Sequence, residues 1–74
     1  MANYHVSVIV EKDKDGYFAF SPDLKGCYTQ GESYEEVIEN IKDVIRLHIE
    51  DRLEDGEQVV LPETVSLTSL EVAV

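Results

Sequence analysis

The sequence predicts an α+β fold in which a three-stranded antiparallel sheet carries one amphipathic helix on one face, with a further strand at the C-terminus. Three observations carry this prediction. Residues 4–30 contain short strand patterns separated by turn residues, residues 33–56 show a capped helical periodicity, and residues 65–74 return to a strand-like composition. Short connections favour antiparallel pairing, so the expected order is β-β-β-α-β.

The first two strands are predicted to form a hairpin. Residues 4–11 alternate with period two, which is typical of a strand with one buried face. The apolar members of that face are Tyr4, Val6, Val8 and Val10. Ile9 stands on the other face, which indicates that this face is partly covered too. Asp15-Gly16 supplies the positive φ that a hairpin turn needs, and residues 17–20 resume the strand pattern.

A loop and a third strand follow. Pro22 lacks a backbone donor and, with Asp23 and the later Gly26, gives the composition of a turn. Residues 27–30 are predicted to form the third short strand, which Gly31 ends.

The helix has the clearest periodic signal in the chain. Ser33 is expected to accept a hydrogen bond from the Glu36 amide, while the Glu36 side chain reaches back to the Ser33 amide, as in a capping box. Gly56 provides the stop. Between these residues an apolar stripe spans about five turns: Val37, Ile38, Ile41, Val44, Ile45, Ile49 and Leu53.

The C-terminal segment is predicted to make an intermolecular contact. Residues 57–64 form a connector, and the apolar alternation within residues 65–74 changes phase, which requires a bulge or contacts on both faces. An apolar terminal strand with an unpaired edge favours aggregation unless a partner covers it. We therefore expect a subunit or partner contact at Leu70, Val72 and Val74.

Size and charge narrow the class of function. A single domain over residues 1–74 buries only about 60% of its unfolded surface, and one cysteine forms no internal disulfide, so a homodimer or higher homo-oligomer is expected. The net charge of −10 disfavours direct nucleic-acid binding. Two readings of the acidity stay open, namely attraction of a basic protein and simple solubility.

The sequence predicts no catalytic site, metal or other cofactor. The spacing after Asp13 lacks the glutamate of a calcium-binding loop, because Leu24 stands at the twelfth position. No Cys-His signature surrounds Cys27, so a half-buried strand residue is the better reading. His5 and His48 are interpreted as ordinary surface or packing residues. No signal peptide or membrane span is visible, and a cytoplasmic location is expected.

At this point the residues resemble the amino-terminal domain of the HicB family of antitoxins. The resemblance covers roughly residues 4–55, and Lys25 departs from it where the family usually has proline. The matching runs are Val8-Ile9-Val10-Glu11, Asp15-Gly16-Tyr17-Phe18-Ala19, Ser21 to Cys27, Thr29-Gln30-Gly31, Ser33-Tyr34-Glu35-Glu36 and Asn40-Ile41. Its signature positions, interpreted as mainly structural, are Gly16, Tyr17, Pro22, Asp23, Gly26, Cys27 and Gly31.

The resemblance implies a truncated ribonuclease H-like fold without nuclease activity, because Asp13, Asp15 and Asp23 form no evident acidic cluster for metal ions. It implies an antitoxin that neutralises a small basic HicA-type toxin, which cleaves messenger RNA. Many members carry a C-terminal DNA-binding domain, and none is expected within residues 1–74. The alternative is a self-associating structural module that has no toxin partner.

Overall fold

The computed structural model describes residues 3–62 and 65–74, which contain one antiparallel sheet and one helix. The elements are β1 (Ile9–Asp13), β2 (Gly16–Phe20), β3 (Tyr28–Gly31) and α1 (Tyr34–Glu54). The strands lie in the order β1-β2-β3, and both pairings are antiparallel. The predicted α+β class, with three consecutive strands followed by one helix, is confirmed.

The predicted hairpin turn is present. Asp13 at the end of β1 faces Gly16 at the start of β2, so only Lys14 and Asp15 lie outside the ladder. The Asp15 amide donates to Asp13 Oδ1 at 2.8 Å, and Gly16 takes a φ of 129°. This φ lies in the region that glycine alone adopts without strain, which explains why Gly follows Asp here.

The first strand starts later than predicted. Residues 4–8 are not part of the ladder, because Ile9 is paired with Phe20, the last residue of β2. After Phe20 the chain turns away into the loop that contains Pro22, so no strand of the described residues lies beside residues 4–8. Alternation alone reports which side chains face the core, and it does not report whether a neighbouring strand is long enough to pair.

The helix begins and ends close to the predicted residues. Ser33 Oγ accepts from the Glu36 amide at 3.1 Å, as predicted. The return bond differs: Glu36 Oε1 accepts from the amide of Glu32 at 3.3 Å rather than from that of Ser33. At the other end, Gly56 has a φ of 79°, and its amide donates to the Leu53 carbonyl. Together with the bond from the Glu57 amide to the Arg52 carbonyl, this forms a Schellman motif.

The core lies between α1 and the face of the sheet that carries Ala19. Its buried members are Ala19, Leu24, Cys27, Val37, Ile41 and Ile49. The helix contacts β2 and β3. It approaches β3 so closely that a Cβ built on Gly31 stands 2.8 Å from the Val37 amide nitrogen. Val6, Val8 and Val10 are partly buried and pack against this core, as their alternation predicts.

The predicted C-terminal strand is not confirmed. Residues 65–74 have no regular secondary structure and are exposed, whereas Val59 and Leu61 of the connector pack against the core. A strand requires a neighbour to receive its backbone hydrogen bonds, and this segment has none within the described chain. The likeness to a truncated ribonuclease H fold is likewise not confirmed. Within the described residues no helix is long and apolar enough to cross a membrane.

Candidate functional site

The sheet has one face that the helix does not cover. Because successive side chains of a strand point to opposite faces, the burial of Ala19 beneath α1 places Phe18 and Phe20 on the other side. Residues directly opposite in the ladder share a face, so the register completes this surface. We name it the open face, and its members are Ile9, Glu11, Asp13, Phe18, Phe20, Tyr28 and Gln30.

Aromatic side chains form the centre of the open face. The Phe18 ring lies close to both other rings, with centroid distances of 5.9 Å to Phe20 and 6.2 Å to Tyr28. The Phe18 and Tyr28 rings are inclined by only 29° and therefore stack. Ile9 lies opposite Phe20 in the ladder. Tyr28 is 61% exposed, whereas Phe18, Phe20 and Ile9 are only partly exposed, so Tyr28 is the side chain of this cluster that solvent reaches most.

An acidic cleft adjoins the aromatic centre at the hairpin end of the sheet. It has a volume of about 430 Å³ and includes Phe18 and Gln30 of the open face. Its four carboxylates come from the β1–β2 turn and from the junction of β3 with α1, and they are those of Asp13, Asp15, Glu32 and Glu36. The open face therefore combines an apolar centre with a negatively charged end.

These carboxylates are not arranged as a metal centre. Among residues 3–62 and 65–74, no group of three or more His, Cys, Asp or Glu side chains is placed to hold a metal ion. Asp13 Oδ1 already accepts the Asp15 amide, and Glu36 Oε1 already accepts the Glu32 amide. Lys12 stands nearby, with Nζ 5.7 Å from the centre of the Tyr17 ring. Carboxylates spread along an edge suit several lysine or arginine side chains of a protein partner.

The residues of the sequence signature lie in β2, in β3 and in the loop between these strands. Asp23 Oδ2 accepts from the Ser7 amide at 3.0 Å and so holds the segment before β1 against the loop. Gly26 takes a φ of 81°, and Tyr17 packs edge-on against Tyr34 of the helix at 6.4 Å. Pro22 is exposed within the loop.

Cys27 has the environment of a packing residue. It is 2% exposed, and burial raises the pKa of its thiol, an effect that the charge of Arg52 opposes. A nucleophilic cysteine needs a lowered pKa and access to substrate. The chemistry at Cys27 is therefore that of a buried, protonated side chain.

The predicted contact residues at the C-terminus are strongly exposed. Leu70 is 80% exposed, Val72 is 72% exposed and Val74 lies wholly in solvent. A single chain does not test whether they meet a partner, so that contact stays a prediction.

The open face was not predicted from the sequence. The alternation placed Ile9 opposite the apolar face of its strand, and it indicated that this second face is partly covered. The available signal was the register: once the turn at residues 14 and 15 is fixed, Ile9 stands across from Phe20. Counting outward from that turn places Ile9, Phe18 and Phe20 on one surface.

The comparisons with known proteins agree with the resemblance. The model of a family described as HicB-like antitoxins of bacterial toxin-antitoxin systems matches residues 4–72. A UPF0150 protein of Helicobacter pylori is 48% identical over 62 residues, covering 84% of this chain and 85% of the relative. A UPF0150 protein of Archaeoglobus fulgidus is 43% identical over 54 residues, or 69% of this chain and 78% of the relative. An uncharacterised 14.9 kDa protein of Haemophilus phage HP1 is 40% identical over 52 residues, which are 70% of this chain but 39% of the phage protein.

Proposed function

The chain belongs to the family of HicB-like antitoxins of bacterial toxin-antitoxin systems, and we propose that it neutralises a small basic toxin of the HicA type. Such a toxin cleaves messenger RNA, and the chain binds it through the open face. Membership of the family supports an antitoxin role and a toxin as the kind of partner. The HicA type of toxin and the binding surface are the proposal.

The observation that carries the proposal is the pairing of an aromatic centre with an acidic end on one uncovered surface. Exposed aromatic clusters are the usual anchors of protein interfaces, because a tyrosine or phenylalanine buries a large area at a small cost in side-chain entropy. The carboxylates of Asp13, Asp15, Glu32 and Glu36 give the adjoining cleft a strong negative charge. A net charge of −10 adds long-range attraction for a basic protein.

Inhibition by this surface is chemically simple. An enzyme that cleaves RNA holds the phosphate backbone with lysine and arginine side chains. Carboxylates offer the same cations an alternative set of acceptors, so an acidic protein bound there excludes the RNA. The antitoxin itself then needs no catalytic group.

The first experiment compares two exposed tyrosines. Tyr28 of the open face is 61% exposed, and Tyr34 of the helix is 53% exposed. The expected partner is the small basic protein encoded beside the gene of this chain. Tyr28→Ala is expected to weaken binding of that protein by about tenfold or more, as removal of an interface anchor does. Tyr34→Ala is the matched control and is expected to change affinity by less than about threefold. Titration calorimetry measures both.

A second measurement tests the acidic side chains of the open face. Glu11→Gln together with Asp13→Asn is expected to lower the association rate and to flatten its dependence on salt, with a smaller effect on dissociation. Equal losses for Tyr28→Ala and Tyr34→Ala, or a neighbouring gene that encodes no small basic protein, would contradict the proposal.

A self-associating structural module is the second candidate function, and the exposed apolar residues at the C-terminus favour it. The two candidates separate in cells, because only an antitoxin restores growth when a toxin is expressed. We also propose that the final strand of the truncated ribonuclease H-like fold forms when residues 65–74 find a pairing partner.

A further inference from the structure

The hydrogen bonds of β3 show which of its backbone groups face away from the sheet. The Ser21 amide donates to the Cys27 carbonyl at 3.0 Å, so Cys27 directs its backbone groups towards β2. In an antiparallel ladder these directions alternate from one residue to the next. Tyr28, Gln30 and Glu32 therefore direct their N–H and C=O groups to the outer edge of β3.

Two of these outward groups are bonded by side chains of the helix. The Asn40 side-chain amide donates to the Gln30 carbonyl at 3.0 Å. Glu36 Oε1 accepts from the Glu32 amide at 3.3 Å. In a parallel sheet, one residue of a neighbouring strand bonds a carbonyl and the outward amide two positions later. The two helix side chains thus make the pair of bonds that one residue of an added strand would make.

The packing of α1 holds these side chains at the edge. Glu36 and Asn40 are four residues apart, so they lie on the same side of the helix, one turn from each other. Val37, next to Glu36, is fully buried, and a Cβ built on Gly31 would stand 2.8 Å from its amide nitrogen. The start of the helix is therefore in direct contact with the end of β3, which brings both side chains within reach of its backbone.

The residue type at position 40 supports this role. Asparagine is a weak helix former, because its side chain competes for backbone hydrogen bonds. Asn40 nevertheless lies in the second turn of α1, where it is only partly buried and is not a member of the hydrophobic core. Within the described residues, the interaction recorded for its side chain is the bond to the Gln30 carbonyl.

We infer that Glu36 and Asn40 close the outer edge of β3 to strand addition by another protein chain. An unpaired edge beside apolar side chains favours pairing between chains. Tyr28 of β3 is 61% exposed, so this edge adjoins such a surface. A strand added here would have to displace both helix side chains from the β3 backbone. The closure consists of bonds within one chain and is therefore independent of the proposed antitoxin function.

Closure of the edge directs a partner to the side chains of β3 instead of its backbone. The side chains of Tyr28 and Gln30 belong to the open face, and the edge that the helix closes lies beside them. In strand addition, main-chain hydrogen bonds supply affinity, whereas side chains supply specificity. Bonding by Glu36 and Asn40 thus removes a contact of low selectivity and leaves the selective surface available.

Sedimentation velocity of the free chain tests the closure. Glu36→Ala with Asn40→Ala removes both bonds, and alanine preserves the helix because it is the best helix former. This variant is expected to form large species at concentrations about tenfold or more below those that the wild-type chain requires. Glu39→Ala, on an exposed part of the same helix, makes the same change in net charge and is expected to behave as the wild-type chain does. Circular dichroism checks that both variants keep the helix.

A proline at position 30 identifies the edge at which the variant associates. The Gln30 amide points outward, so Gln30→Pro removes a donor of the outer edge and spares the ladder with β2. Added to Glu36→Ala with Asn40→Ala, this substitution is expected to restore the association behaviour of the wild-type chain. A general loss of stability would not be relieved by proline.

Amide hydrogen exchange measured by NMR reports the bond at Glu32 directly. Glu36→Ala is expected to speed exchange of the Glu32 amide by about tenfold. Glu36→Gln removes the same charge but keeps an oxygen acceptor, and it is expected to retain the protection. Wild-type association of Glu36→Ala with Asn40→Ala, association that persists after Gln30→Pro, or equal exchange in Glu36→Ala and Glu36→Gln overturns the inference.

Discussion

The two faces of the sheet are built from neighbouring residues of the same strand, but one face is buried and the other is partly exposed. Ala19 is fully buried beneath α1. Phe18 and Phe20, on either side of it, point away from the helix and remain partly exposed. Both phenylalanines of β2 thus lie on the face that the helix leaves uncovered.

This difference indicates which residues serve folding and which are available for binding. The covered face obtains its stability from close packing, and a change of one methylene there affects the whole domain. The open face contributes little to the core, yet it keeps large aromatic rings in water. A surface of this kind is typical of an interaction site. Substitutions on the two faces should therefore separate stability from binding.

The largest expected effect is on the free energy of unfolding, and it comes from comparing a core residue with a residue of the open face. Ile41→Ala removes a side chain that is 2% exposed in the core, so it should lower the free energy of unfolding by about 2–5 kcal/mol. Tyr28→Ala removes a larger side chain from the open face and should cost about 1 kcal/mol, chiefly its stacking on Phe18. Urea denaturation measures both. A greater loss for Tyr28→Ala would mean that the open face belongs to the core.

A smaller effect is expected where the covered face is tightest. Gly31→Ala places a methyl group 2.8 Å from the backbone nitrogen of Val37, so the helix has to move away from β3. Overpacking of this kind costs about 1–3 kcal/mol. Gln30→Ala, one residue earlier and directed to the open face, is the control and should cost less than about 0.5 kcal/mol. If the two variants were equally stable, the close contact between helix and strand would not be a constraint.

The covered side of the molecule is largely predictable from the sequence because its signals are local. The cap at Ser33, the glycine stop at Gly56 and the spacing of Val37 and Ile41 each depend on residues within a few positions of one another. Short-range hydrogen bonds and helical periodicity fix these features whatever surrounds them. Even here the return bond of Glu36 goes to Glu32 instead of Ser33, a choice between adjacent amides that a motif does not resolve.

The candidate site depends on relations that a single segment does not contain. The open face appears only when three strands are set in register, which joins Ile9, Phe20 and Tyr28 across twenty positions of the chain. The late start of β1 depends on where its neighbour ends. The alternation of residues 65–74 predicts a strand, and it carries no information about which chain supplies the partner. Pairing is a tertiary or quaternary property, and local pattern reports only the tendency towards it.

The smallest expected effect is on the pH dependence of stability, and it tests whether the covered side excludes water from Cys27. Burial raises the pKa of the Cys27 thiol in the folded chain. The folded state therefore binds its proton more tightly than the unfolded state does, and the stability that this provides is complete below the unfolded pKa of about 8.5. As the pH rises beyond that value towards the folded pKa, the free energy of unfolding should fall. Cys27→Ala should lose this component of the pH dependence, which denaturation between pH 7 and 10 measures.

Reactivity of the same thiol gives an independent reading of the covered side. Native Cys27 should react with a thiol reagent at pH 8 much more slowly than the chain in urea, because the thiol is both inaccessible and protonated. Ser66→Cys in the Cys27→Ala background places a cysteine in the exposed C-terminal segment and should react at the rate of an unfolded chain. Fast reaction of native Cys27 would mean that the helix and sheet separate readily, and the contrast between a closed face and an open one would then fail.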